Sequence, residues 1–199
     1  MTRDGIVAFA LFTIAAAGTP GPSNALLTAT GARVGVLRGL PALLGAGLGM
    51  WALMSAMALG LGALLLASPI VATAARWCGA AFLLWLAWKV ATAGPLGESS
   101  GRPVGFVGAA LFQWVNPKSW LICASATATF LDPGSGGAAA QAIGIGALFA
   151  AIATPCFVPW LAFGALLQRT LRSPRSARIV NVAMGLLLAL SVVLLFPTR

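Results

Sequence analysis

Histidine is absent from this 199-residue chain, which excludes an imidazole acid, base or metal ligand. Carboxylates are almost as scarce, with Asp4, Glu98 and Asp132 the whole supply. All three read as helix-end or loop residues, so no acid pair stands ready for proton-transfer chemistry and no catalytic residue is assigned. Cys78, Cys123 and Cys156 lie singly in three different apolar segments, without a C-x-x-C spacing. That pattern leaves redox and metal chemistry unsupported and suits small packing residues. No zinc pattern and no aromatic-basic RNA motif occurs, and neither metal nor cofactor is expected. Charge itself is sparse, at 8% of residues, where a soluble domain carries roughly 25%. Such a composition cannot cover a water-facing surface. The chain reads as an integral membrane protein whose first partner is the lipid bilayer.

What is present is apolar: 60% of the residues are hydrophobic. The formal charge of +9 arises from 12 Lys+Arg against 3 Asp+Glu. Those cations fall in short loops, where membrane topology and anionic lipid account for them better than nucleic acid does.

In chain order, six membrane helices are expected in an all-α fold. The N-terminus has some signal-peptide character, but the apolar run resumes after residues 18–24 and continues to about residue 32. Residues 5–32 therefore read as one helix, interrupted by Thr19-Pro20-Gly21-Pro22-Ser23-Asn24. A short loop at 33–38 leads to a helix at 39–67, with Pro41 in its first turn, where a missing N–H costs little. Gly45 and Gly49 form a G-x-x-x-G packing face. The third helix spans 70–93, with Trp85, Trp88 and Lys89 as interfacial anchors. A polar linker at 94–103 follows.

The fourth helix, 104–130, carries the least expected cluster: Gln113-Trp114-Val115-Asn116-Pro117-Lys118-Ser119-Trp120. Proline removes a helix hydrogen bond, and a lysine charge near the bilayer centre is costly unless paired or hydrated. A membrane span that keeps both has a use for them. Helix five covers 138–167, where Pro155 and Pro159 predict a bend. A basic loop holding Arg169, Arg172, Arg175 and Arg178 precedes helix six at 179–196. Weighing the Lys and Arg of alternate loops places both termini outside the cytoplasm.

Split at the 94–103 linker, the single domain of residues 1–199 becomes two three-helix repeats, 5–93 and 104–197. Because three is odd, the second enters the membrane inverted relative to the first. Each repeat begins with a helix carrying a polar, proline-containing interruption. Paired interrupted helices in inverted halves point to a transporter site, since freed backbone groups need protein or a watery cavity around them.

The Pro-Gly-Pro motif with Asn24, the Gly-Ala-Arg-x-Gly segment at 31–35, the stretch from Gly79 to Lys89, and Phe-Gln-Trp-Val-Asn-Pro-Lys at 112–118 follow one another in the right order. Together they resemble the lysine-exporter (LysE/RhtB) family over essentially the whole chain. That resemblance implies export of amino acids or related small zwitterions across a bacterial cytoplasmic membrane, without enzymatic activity. Carried over, the motif residues are Pro20, Gly21, Pro22, Asn24, Asn116, Pro117 and Lys118. Asn24, Asn116 and Lys118 are the expected substrate-binding residues. Pro20, Gly21, Pro22 and Pro117 are expected to break the helices, exposing backbone groups or simply shaping a kink.

Export by alternating access is the expected mechanism. No intramembrane acid is available to carry protons, so any proton coupling would fall to Lys118. The apolar lining leans towards small neutral amino acids. Two other classes compete: a non-transporting assembly or regulatory subunit, which the G-x-x-x-G face fits, and a membrane enzyme, which lacks its chemical parts. A homo-oligomer is allowed by the glycine content and specified by nothing.

Overall fold

The computed structural model describes residues 2–92, 104–131, 137–170, 173–190 and 192–193. Among these every regular element is helical: α1 (Arg3–Gly18), α2 (Pro22–Ala56), α3 (Gly62–Ala67), α4 (Pro69–Ala91), α5 (Phe106–Val115), α6 (Pro117–Phe130), α7 (Ala138–Thr170) and α8 (Pro174–Leu190). A π-helical turn, Met57–Leu61, joins α2 to α3. The linker expected at 94–103, most of the loop after α6 and the end of the expected sixth helix lie outside the described residues.

The chain breaks where a residue precedes proline. Proline's ring clashes with a helical predecessor and drives it to extended backbone. Thr19, before Pro20, ends α1 at φ −68°, ψ 131°. Gly21, before Pro22, is extended at φ −174°, ψ −178°, and Pro22 then starts α2 at a position that needs no N–H. Asn116, before Pro117, adopts φ −84°, ψ 110° and separates α5 from α6. One local rule makes both interruptions.

The expected loop at 33–38 takes a different form. Helix continues on either side of Gly35, which alone turns the chain at φ 75°, a backbone setting that glycine reaches without a Cβ clash. Pro41 is consequently inside α2 rather than in a first turn. In α7, Pro155 and Pro159 are carried within continuous helix from Ala138 to Thr170.

Among the described residues, two segments, Pro22–Leu61 and Ala138–Leu167, are long and apolar enough to cross a bilayer singly. The halves α1 and α5, of 16 and 10 residues, are too short for that at about 1.5 Å per residue. The α2–α7 pair is the central packing seam. Glycine makes it possible: a Cβ on Gly164 would run into the Thr28 carbonyl, and one on Gly31 into that of Leu161. Gly45 and Gly49 do the same for α2 against Phe106 and Ala110 of α5. Gly185 lets α8 approach Ala87 of α4. Such small-residue contacts gain dispersion energy by bringing backbones together, which is what drives helix association in lipid.

Large apolar side chains cover the outside, and several polar ones are set into an otherwise apolar core. Leu37, Ile70, Trp88, Leu186 and Leu190 face outward, while Thr13, Asn24, Gln113, Asn116, Ser119 and Asn181 are buried. Asn24, Gln113, Asn116 and Ser119 of that buried polar set stand at or next to the helix breaks. Phe9 of α1 is buried in the apolar core, edge-on to Phe130 at 5.2 Å and to Phe149 at 6.3 Å.

Candidate functional site

The two interruptions, nearly a hundred residues apart in sequence, meet in space. Lys118 leaves the first turn of α6 and crosses to the C-terminal end of α1. There its Nζ donates to the carbonyl oxygens of Thr19 and of Pro20, the latter at 3.3 Å. A helix C-terminus carries partial negative charge on unsatisfied carbonyls, so an ammonium is the natural partner. Asn24 adds a second donor from α2. Its Nδ2 donates to Ala17 O at 3.1 Å and Thr19 O at 2.8 Å. Side chains of α2 and α6 thus share the capping of the α1 terminus with Thr19, whose own hydroxyl and N–H hold the Ala15 carbonyl.

Gly21 sets the closeness of this contact. Its extended φ is open to any residue, so its own backbone does not demand glycine. A Cβ there would, however, lie 2.6 Å from Lys118 Cδ and 3.0 Å from Nζ. The lysine stem occupies the space that a side chain would need.

Beneath Lys118 runs a buried network joining the two breaks. Ser23 Oγ donates to Gln113 Oε1 at 2.8 Å, and Ser119 Oγ donates to the same oxygen at 2.9 Å. Asn116 Nδ2 donates to Ser23 Oγ at 2.9 Å, while its Oδ1 accepts from Lys118 N at 3.1 Å and so caps α6. Gln113 Nε2 closes the set on Ala109 O at 3.2 Å. In such surroundings satisfied bonds rigidify, and an unmade one costs about 1–3 kcal/mol.

Gly21, Ser23, Asn24, Asn116, Lys118 and Ser119 share a cavity with the apolar side chains of Met50, Ile122, Phe149 and Phe157. Its volume is about 20 Å³, room for a water and far below a ligand pocket of several hundred Å³. A second cavity of about 440 Å³ lies elsewhere, at the Gly35 turn, lined by Arg38 and apolar residues of α2 and α7.

Of the residues picked from sequence, Gly21, Asn24, Asn116 and Lys118 line the site cavity. Pro20 contributes a carbonyl, and Pro22 and Pro117 each start a half-helix. Gln113 is fully buried in the network beneath the cavity. Ser23, Ser119 and the Thr19 carbonyl were not singled out by sequence reasoning, although all stand within the two motifs. Phe149 and Phe157, from α7, were also missed; their i, i+8 spacing puts them on one helix face. Cys78, Cys123 and Cys156 are all free thiols, and among the described residues no cluster of potential metal ligands occurs.

The model of one family, the LysE type translocator, matches residues 14–196. A cysteine/O-acetylserine efflux protein of Salmonella typhimurium (strain LT2) is 35% identical over 198 residues, covering 98% of this chain and 100% of that relative. The cysteine/O-acetylserine efflux protein of Escherichia coli (strain K12) is 33% identical over the same extent. No solved structure matches the chain significantly.

Proposed function

The chain belongs to the LysE type translocator family, and from that premise we propose that it exports small neutral amino acids, cysteine and O-acetylserine among them, from the bacterial cytoplasm. It is an exporting transporter of the inner membrane and not an enzyme. The observation that carries the substrate site is the bond from Lys118, in the second helix break, to the Thr19 and Pro20 carbonyls in the first. An amino acid needs a cationic partner for its carboxylate and acceptors for its ammonium, and the breaks supply both kinds side by side, Lys118 in the cavity and the two carbonyls that it reaches beside it. Lys118 and the α2 N-terminus, which Gly21 leaves without a capping side chain, suit the carboxylate. Asn24 and Asn116 flank them. The apolar wall of Met50, Ile122, Phe149 and Phe157 suits a short uncharged side chain. The curated relatives, named for cysteine and O-acetylserine, agree in substrate class.

Transport is assigned to alternating access between two inverted three-helix repeats, 5–93 and 104–197, in six spans. Packing supports this arrangement. The first span (α1 with residues 22–34 of α2) packs on α7, and the fourth (α5 with α6) packs on residues 36–56 of α2. An exchange of the two halves maps one pair onto the other, and maps the pair of α7 with residues 36–56 of α2, and the pair α4–α8, onto themselves. Both termini face the outside. If export draws on the proton gradient, the coupling group is Lys118, the ionisable side chain of the cavity.

Efflux of a labelled amino-acid panel from preloaded proteoliposomes, with and without an imposed proton gradient, tests this reading. Faster loss of cysteine, serine and alanine than of lysine or glutamate is the expected result. No loss of any of them from folded protein would overturn it.

A further inference from the structure

We propose that the Thr19 and Pro20 carbonyls are the subsite for the substrate's α-ammonium group, and that Lys118 occupies this subsite as a tethered stand-in until substrate arrives. The inference rests on the exporter reading above. A lysine ε-ammonium and an amino acid's α-ammonium are the same donor group, each with three N–H bonds to place. The first is already seated on both carbonyls. Asn24 Nδ2 also holds the Thr19 carbonyl, at 2.8 Å, so that acceptor keeps its aim after the lysine leaves.

Substrate entry is then an exchange of partners. The incoming carboxylate takes the Lys118 ammonium, and the incoming ammonium takes the two carbonyls. Both new pairs replace one old one, and no buried group is left alone. The exchange also explains why a cavity of about 20 Å³ belongs to a site for a larger molecule: the lysine end group fills the place that the ligand takes.

Two partial ligands fail for different reasons. An amine without a carboxylate must compete with an ammonium tethered beside the carbonyls at high effective concentration. An acid without an amine draws Lys118 away and leaves the Pro20 carbonyl without its donor and the Thr19 carbonyl with Asn24 alone, a loss that a site built to hold an ammonium penalises. Only the zwitterion satisfies both sides.

Three related thiols separate these cases: L-cysteine, cysteamine, which lacks the carboxylate, and N-acetylcysteine, which lacks the ammonium. Each is loaded at equal concentration into proteoliposomes holding the wild-type protein, with protein-free vesicles as the leak control. Cysteine should leave at least about tenfold faster than either analogue, as expected for a lost hydrogen bond to a charged group. N-acetylcysteine leaving as fast as cysteine would overturn the ammonium subsite while leaving the exporter reading intact. Cysteamine leaving as fast would overturn the exchange. Failure of all three to leave would instead sink the exporter reading beneath it. A second measurement uses Lys118→Met, scored as competition for binding to purified protein. With the tethered ammonium gone, the preference for cysteine over cysteamine should shrink to about two- to threefold. An unchanged preference would mean that Lys118 never competes for the carbonyls.

Discussion

Lys118 of α6 lies over Gly21 at the start of α2 so closely that a Cβ on Gly21 would come within 2.6 Å of Lys118 Cδ. The backbone of Gly21 is extended, so substitution there does not strain φ. Gly21→Ala therefore acts on the lysine. Because the colliding atoms belong to a flexible side chain, Lys118 swings off the Thr19 and Pro20 carbonyls while the helices keep their places. Insertion into the membrane should be normal and the thermal midpoint nearly unchanged. Efflux should fall about tenfold, the worth of a displaced charge-assisted bond. Proteoliposome efflux measured beside fluorescence-detected melting decides this, and wild-type efflux from the variant would refute it.

The central seam makes a different kind of demand. A Cβ on Gly164 would sit 2.7 Å from the Thr28 carbonyl carbon and 2.9 Å from Ala32 N, both backbone atoms that cannot rotate aside. Gly164→Ala must push α2 and α7 apart, at a cost of about 1–3 kcal/mol. Gly144, on the same helix, meets nothing within 4 Å. Gly144→Ala should be neutral or stabilising by up to about 1 kcal/mol, since alanine loses less freedom in a helix. Melting of the two variants in detergent, side by side, should separate them clearly. Equal midpoints would argue against the close α2–α7 approach.

Much of this architecture was readable beforehand because proline, glycine and lysine contradict an apolar helix. Pro20, Pro22 and Pro117 announce the two breaks, and Lys118 announces a polar interior. The partners were less legible. Thr19 enters the site through its carbonyl, a group that every residue has and no sequence pattern marks. Ser23 and Gln113 bond across 90 positions, and nothing local couples them. Residues 33–38 read as a loop because Arg33, Gly35 and Arg38 cluster there. A single positive-φ glycine makes the turn instead, and the helix resumes at once. Conformational freedom at one residue achieves what composition attributes to six.

Ser55 and Gln113 offer opposite experiments on buried polarity. Ser55 Oγ is buried without a hydrogen-bond partner, pressed against the Gly146 backbone position of α7. Ser55→Ala removes a desolvated group and should raise stability by about 1 kcal/mol. Gln113 accepts from both Ser23 and Ser119. Gln113→Leu keeps the bulk but leaves two hydroxyls without their acceptor, and should lower stability by about 2 kcal/mol or more. Thermal melts of both variants test the pair, and a destabilised Ser55→Ala would show that this hydroxyl has a role the network does not reveal.

The proposed orientation rests on where the cations sit. Arg33 and Arg38 flank the Gly35 turn, Lys89 is in the last turn of α4, and of the four arginines expected in one basic loop, Arg169 falls near the end of α7 while Arg175 and Arg178 fall in the first turns of α8. Positive loops are retained in the cytoplasm, so the proposed six-span arrangement predicts a C-terminus outside. Alkaline phosphatase fused to the C-terminus should therefore be active, and green fluorescent protein fused there should be dark. Bright fluorescence with inactive phosphatase would reverse the assignment. The last arginine cluster dominates the vote, so replacing Arg169, Arg172, Arg175 and Arg178 with glutamine should yield a mixed population, with both reporters giving signal. If the quadruple variant keeps a single orientation, the charges around Gly35 and Lys89 suffice to hold it, and the cluster is there for another purpose, such as contact with anionic lipid.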